Sequence, residues 1–266
     1  MLNEGLPQFP ESEITMPALF IGHGSPMNAI EDNEFSQVWA EVAQSIPKPK
    51  AILCISAHWQ IVGTQVTAMA QPKTIHDFYG FPQALFEVNY PAPGSPELAQ
   101  LVQQTVRSTP VQLDQQWGLD HGAWSVLCRM FPAADIPVVQ LSLDQHKAPE
   151  FHYNLGKELR GLRRRGVLIV GSGNIVHNLR MIAWRDEAHD WAVEFDERIQ
   201  RAILAGDHDT IINFDQMGEL ARLAVPTDEH LLPLLYVLAC QENEAISFFA
   251  EKVTLGAISM RSLRIG

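Results

Sequence analysis

The sequence predicts a single α/β domain whose central sheet is largely parallel and packed between helical layers. Three observations predict it. Short, near-continuous apolar runs recur along the chain, as expected of strands buried on both faces. Segments with helical spacing alternate with those runs. No linker, internal repeat or low-complexity tract divides the 266 residues, a length ordinary for one large α/β domain.

The elements follow in order. Residues 1–15, MLNEGLPQFPESEIT, are polar and acidic and read as a loose arm ahead of a catalytic domain over 16–266. Without a basic start and an apolar stretch they are not expected to be a signal peptide. Strands are predicted at 17–22 (PALFIG), 51–57 (AILCISA), 65–70 (QVTAMA), 137–143 (PVVQLSL), 167–172 (VLIVGS) and within 257–265 (AISMRSLRI). A helix over 34–45 follows Asp32 and Asn33 as caps, and one over 96–107 follows Ser95 with Pro96 at its first position. A helix over 148–165 ends in a basic turn before Gly166. Further helices are expected over 188–205, 209–223 and 229–240, the last with Thr227 as N-cap. Residues 71–94, QPKTIHDFYGFPQALFEVNYPAPG, form a long Pro- and Gly-rich loop, read either as a lid or pocket wall or as a surface excursion.

Composition excludes several functions. A formal net charge of −12 argues against nucleic acid and anionic membrane as partners. The apolar run at 231–240 is too short to span a bilayer. The three cysteines, Cys54, Cys128 and Cys240, have no C-x-x-C spacing and read as reduced core residues of a cytoplasmic protein. Assembly into a homo-oligomer is compatible with the sequence.

The histidines carry the chemical signal. His23 follows one predicted strand, His58 another, and His177 lies just beyond a third. In open α/β sheets the ligand crevice lies outside the carboxyl ends of the strands, so three histidines there would converge. His121 opens a predicted helix and His230 another, and both could face the same opening. Gly22 and Gly24 flank His23 and permit a sharp bend. Imidazole is the commonest transition-metal ligand among side chains. Taken singly, each histidine is better explained as a hydrogen-bonded structural residue, and that reading is kept for His76, His146, His152, His189 and His208. Residues 171–174, GSGN, form a short glycine turn that could hold an anion at a helix start, but they lack a dinucleotide or P-loop pattern.

The stretches ALFIGHGSPMN, ISAHW, TIHDFYGFPQALF, NYPAPGSPELA, DHGAWSVL, IPVVQLS, SGNIVHNLR and EHLLPLLYVLA together resemble the 4,5-DOPA extradiol dioxygenase family. That family belongs to the class III extradiol enzymes, related to the catalytic subunit of protocatechuate 4,5-dioxygenase. The resemblance runs from about residue 16 to the C-terminus. It implies a non-haem metal site at the strand ends, one divalent ion per chain. His23, His58 and His230 look like ligands, and His177 resembles a further ligand or the acid/base. His121 resembles a histidine that contacts substrate or oxygen. Iron(II) oxygenases commonly use two histidines and a carboxylate, so Glu229, beside His230, competes for the third ligand position. Iron(II) suits oxygen chemistry, while zinc suits a mostly histidine site.

The expected reaction is opening of a catechol, L-DOPA or a related diol, by dioxygen to a muconate semialdehyde. His177 is the expected proton carrier, and His121 is expected to steady the oxygen. Trp59, Phe78, Tyr79 and Phe81 could wall the ring, and Arg180 is the arginine nearest to meet a substrate carboxylate. The rival readings are a zinc hydrolase using the same histidines and a non-catalytic metal-binding protein.

Overall fold

The computed structural model describes residues 9–184 and 187–266. Its strands are β1 (Ala18–Gly22), β2 (Ala51–Ile61), β3 (Thr64–Thr67), β4 (Val111–Asp114), β5 (Val138–Asp144), β6 (Val167–Gly173), β7 (Ile246–Phe249), β8 (Val253–Thr254), β9 (Ile258–Ser259) and β10 (Ser262–Ile265). Its helices are α1 (Glu34–Gln44), α2 (Gln83–Phe86), α3 (Pro96–Thr105), α4 (His121–Met130), α5 (Pro149–Leu159), α6 (Asp190–Ala205), α7 (His208–Ile212), α8 (Glu219–Ala224) and α9 (Leu232–Leu238). Eight strands form one sheet in the order β4-β3-β5-β2-β6-β1-β10-β7, and β8 pairs with β9.

The middle of the sheet is parallel: β5 with β2, β2 with β6, and β6 with β1. Antiparallel pairs lie towards the edges. Side chains alternate between two cores. Phe20, Leu53 and Ile169 enter the one closed by α5, α6 and α9, while Ile21, Cys54 and Val170 enter the one closed by α1 and α4. Burial of each such side chain stabilises by ~1.5–3 kcal/mol. Both faces are therefore covered, which accounts for the continuous apolar runs of β1, β2, β5 and β6.

Caps set the helix starts. Asn33 closes a capping box on α1, Ser95 accepts from the Leu98 N–H ahead of Pro96 in α3, and Asp120 caps α4. Several expectations shift. The helix expected over 148–165 is α5 followed by a 3-10 segment, closed by Gly166 at φ 80°. The helix expected over 209–223 breaks into α7, a 3-10 turn and α8, because Gly218 sits at φ 67° between them. The helix expected from 229 starts at Leu232, with Pro233 in its first turn; Thr227 bonds Glu229 instead of capping it. Residues 171–173 of GSGN belong to β6 and no α-helix starts there, so the anion-site reading is withdrawn.

Residues 1–8 of the predicted arm lie outside the described residues. From residue 9 the chain is tied down: Phe9 is buried, and Arg165 donates to its carbonyl. No helix among the described residues is long and apolar enough to cross a membrane. Cys54 and Cys240 are buried and all three cysteines are free.

Candidate metal centre

Three adjacent parallel strands, β2, β6 and β1, deliver their carboxyl ends to one edge of the sheet. His23 is the first residue after β1, and its N–H extends the ladder by donating to Gly173 O at 3.0 Å. Gly24, at φ 58°, then turns the chain away from the strand. His58 lies inside β2, which runs on to Ile61, past the predicted end. A register irregularity between Ile55 and Gln60 accompanies it, the kind of bulge that re-aims a side chain beside a functional site. His121 is the first residue of α4. His177 follows β6, its N–H donating to Ala224 O at 2.9 Å. His230 sits in the turn before α9. Close backbone approach lets that turn reach the sheet: a Cβ on Gly173 would lie 2.1 Å from His230 O.

The five rings meet. His23, His58 and His230 have mutual centroid separations of 5.0–5.3 Å, and one nitrogen from each lies within 4.8 Å of the others. His121 packs on His58 at 3.8 Å, and His177 stacks on His230 at 3.4 Å with planes 9° apart. His177 groups with Glu229 and His230, and His121 with His58 and Asp77.

Hydrogen bonding fixes which nitrogens can serve. The Ser172 hydroxyl donates to Gly122 O at 2.5 Å, and His23 Nδ1 lies 3.0 Å from the same oxygen. A hydroxyl has one hydrogen. With that hydrogen committed to the carbonyl, Ser172 Oγ accepts from His23 Nδ1–H, and His23 Nε2 carries a bare lone pair. Glu229 Oε1 lies 3.0 Å from His230 Nδ1 and selects the same tautomer there. Asp77 Oδ2 lies 3.6 Å from His58 Nδ1. The Nε2 atoms of His23 and His58 face each other at 3.2 Å, while His230 Nε2 is buried without a hydrogen-bond partner. An orphaned buried polar atom costs ~1–3 kcal/mol, and a cation accepting all three lone pairs removes that cost. The donor set therefore fits a divalent transition metal, with carboxylate and hydroxyl partners behind the rings as in known sites.

Electrostatics agree. Burial, then its histidine neighbours, hold His23 and His230 well below the usual imidazole range. Burial, then His121, brings His58 to about 3 against an opposing pull from Asp77. Burial, then His121, brings His177 to about 4. These imidazoles are neutral near pH 7, the ligand form. Burial pushes Asp77 up, but hydrogen bonds and charge from His121, helped by His58, bring its carboxyl below the ordinary value.

Asp77, which sequence reasoning did not single out, comes from the long 71–94 loop. Its Oδ1 accepts from the His121 backbone N–H at 2.9 Å and lies 3.0 Å from His121 Nδ1. The loop is fastened to the start of α4: Ile75 N donates to Leu119 O, and Trp124 Nε1 to Ile75 O. It is no detached surface excursion: Asp77 and Phe78 pack against the histidine cluster. Ser56, Asp120 and Gln140 were also missed. Asp120 accepts from Ser56 Oγ and Gln140 Nε2, both at 2.7 Å, tying the α4 cap to β2 and β5.

Of the predicted aromatic wall, Phe78 meets His121 edge-on at 5.5 Å and Phe81 packs behind Phe78. Trp59 points to the other face of β2 and stacks on Trp117, and Tyr79 is 92% exposed. Four of the histidines read as structural have hydrogen-bond partners: His76 with Val88 O, His152 with Tyr236, His189 with Met181 O and His208 with Tyr153.

Comparison with known proteins points the same way. A family model described as the catalytic LigB subunit of aromatic ring-opening dioxygenase matches residues 17–261. A "4,5-DOPA dioxygenase extradiol" of Escherichia coli K12 is 46% identical, with 96% of each chain covered. One from Beta vulgaris is 41% identical, covering 81% of this chain and 83% of its own length. The crystal structure of an uncharacterized protein from Escherichia coli K12 superposes with a TM-score of 0.83 at 42% identity, covering 94% of this chain and all of the other.

Proposed function

The chain belongs to the LigB family of aromatic ring-opening dioxygenases, and we propose that it opens substituted catechols of the DOPA class by extradiol cleavage with dioxygen. The carrying observation is the convergence of three neutral imidazoles on a common point, with His230 Nε2 unpartnered, beside the half-buried His177. In this reading His23, His58 and His230 hold one divalent ion, iron(II). Glu229 stays behind His230 as the partner of its Nδ1. The metal, when bound, supplies Lewis acidity toward the diol and redox access to dioxygen.

The chain's own groups do the rest. His177 is neutral near pH 7, burial having lowered it to about 4, so it can take a phenolic proton as general base and return one to the ring-opened product. Stacking on His230 fixes its plane. His121, held by Asp77 on one side and Phe78 on the other, presents its ring to the space above His58. Phe78 and the fastened loop exclude water from that side. The net reaction places both atoms of dioxygen on the two carbons of a ring bond beside, not between, the hydroxyls, and breaks that bond. Membership of this family removes the support for a hydrolase or a non-catalytic binding protein. The reading includes cytoplasmic action on a small diol and dioxygen, without nucleic-acid or membrane partners.

The test divides metal-stripped protein into iron(II), zinc and metal-free samples under anaerobic conditions. Each is offered a panel of catechols while oxygen uptake and visible absorbance are followed. Only the iron sample should consume oxygen and form a yellow semialdehyde. Oxygen-independent turnover with zinc would overturn the proposal.

A further inference from the structure

The His58 ring carries two nitrogens, and the metal centre described above uses one of them. Its Nε2 faces His23 Nε2 at 3.2 Å, inside the ligand triad. Its Nδ1, on the opposite edge of the ring, lies 3.6 Å from Asp77 Oδ2. The other oxygen of that carboxylate, Oδ1, lies 3.0 Å from His121 Nδ1. One atom from each of His58, Asp77 and His121 falls within 4.8 Å of the other two. Two imidazoles and a carboxylate thus form a second donor set that shares a ring with the first.

Spacing and an orphaned atom both point to a cation. Bonds of ~2.0–2.1 Å from zinc to nitrogen and oxygen set neighbouring ligand atoms about 3.3 Å apart at a tetrahedral ion. The two contacts, 3.0 and 3.6 Å, bracket that spacing. His121 is only 6% exposed, and its Nδ1 is buried without a well-aligned hydrogen bond, the Asp77 oxygen being close but off line. Asp77 stays anchored meanwhile, because Oδ1 accepts from the His121 backbone N–H at 2.9 Å. The side chains of His58 and Asp77 are 20% and 19% exposed, so an ion can reach them from outside the triad.

We propose that His58, Asp77 and His121 form a second, weaker divalent-cation site, bridged to the metal centre through the two nitrogens of His58, and that an ion bound there switches the enzyme off. The ion replaces the hydrogen on His58 Nδ1, which leaves to solvent as a proton, as metal binding releases protons from its ligands. The site is weaker because two cations on one imidazole ring stand about 6 Å apart and repel each other. It inhibits because it engages His121 and occupies the space beside His58. Binding at this site is independent of the ring-opening reading; the inhibition rests on it.

The test titrates metal-stripped protein anaerobically with zinc, and separately with iron(II), reading bound metal after equilibrium dialysis. Wild type should bind one equivalent tightly and a second at higher free metal. His121→Ala and Asp77→Asn should each lose the second equivalent and keep the first. Asparagine still offers an oxygen to the His121 N–H, so the loop stays fastened in that variant. His146→Ala, a change at an exposed histidine away from the cluster, should keep both. In the iron series, oxygen uptake by wild type on 4-methylcatechol should fall as the second equivalent binds. Saturation of wild type at one equivalent, or a second equivalent retained by both His121→Ala and Asp77→Asn, would overturn the site. Two bound equivalents with undiminished oxygen uptake would overturn the switch. Absence of uptake at every loading would remove the ring-opening reading, and the zinc stoichiometries would still decide the site.

Discussion

Ser172→Ala should weaken metal binding without touching a ligand. The hydroxyl is wholly buried and serves two groups: it donates to Gly122 O and accepts from His23 Nδ1–H. Alanine removes both contacts. The Gly122 carbonyl and the His23 Nδ1–H are left without their partner in a buried setting, at a cost of ~1–3 kcal/mol in stability. More specifically, nothing then holds the His23 hydrogen on Nδ1. The ring can adopt the other tautomer, with hydrogen on Nε2, which faces His58 Nε2 at 3.2 Å and cannot bind metal in that form. Loss of such a partner behind a metal-bound histidine typically costs ~10–100-fold in affinity, or ~1.4–2.7 kcal/mol.

The assay is competition between protein and a chelator for zinc, with apo-protein melting temperature measured alongside. Zinc serves because it reports ligand geometry without redox chemistry. Ser172→Thr, which keeps the hydroxyl, should recover most of the affinity. In the His23→Ala background Ser172→Ala should add little, because both changes act through one ring. Wild-type zinc affinity in Ser172→Ala, with only a lowered melting temperature, would refute the tautomer argument and leave Ser172 as a packing residue.

Other outcomes follow from the same geometry. His23→Ala, His58→Ala and His230→Ala should each lose tightly bound metal while staying folded, whereas Glu229→Ala should keep a weaker site; metal analysis of the purified variants decides between His230 and Glu229. His177→Ala should retain metal and lose ~10²–10⁴-fold in kcat, and loss of its metal instead would make His177 a ligand. Gly173→Ala would press a Cβ to 2.1 Å from His230 O, a clash with backbone, so it should cost ~1–3 kcal/mol in urea unfolding and displace a ligand, lowering zinc affinity. Burial holds His152 at about 4, below its ordinary 6.5. The unfolded chain therefore takes this proton first, and stability is lost as pH falls from about 6.5 to about 4. His152→Gln should flatten the fall in metal-free unfolding midpoints across that window, and an unchanged slope would count against it.

The central fold was legible because its strands are buried on both faces. β1, β2, β5 and β6 are unbroken apolar runs, and such runs have few alternatives inside a domain of this size. β4 and β7 were not legible. VQLD and ISFF are short edge segments that are half-exposed, and edge strands are held by pairing rather than by a hydrophobic pattern of their own. Helix starts with a side-chain cap, such as Asn33 and Ser95, were readable one residue at a time. The start of α9 was not, because the segment before it is recruited by the metal centre: Asp228 O takes the N–H groups of Leu231 and Leu232, and Thr227 turns to Glu229.

At the site, legibility divides along a physical line. Histidine is uncommon enough, and strand ends narrow enough, that three coincidences of the two stand out in a sequence. What decides whether those rings can bind a metal is elsewhere: a proton on each Nδ1 must have an acceptor. The partners are Ser172 and Glu229, which lie 3.0 Å from Nδ1 of His23 and of His230, and Asp77, whose carboxylate stands 3.6 Å from His58 Nδ1 and acts on it through charge, residue types that abound on any chain. Only one of the three is adjacent in sequence to the ring it serves. Ser172 is 149 positions from His23 and Asp77 is 19 from His58, so no local pattern could connect them. Asp77 shows how a loop acquires a role this way. Its carboxylate is the cap of the His121 backbone N–H and the neighbour of two imidazole nitrogens at once. Any movement of the loop away from α4 would therefore withdraw this one carboxylate from His58 and His121 together.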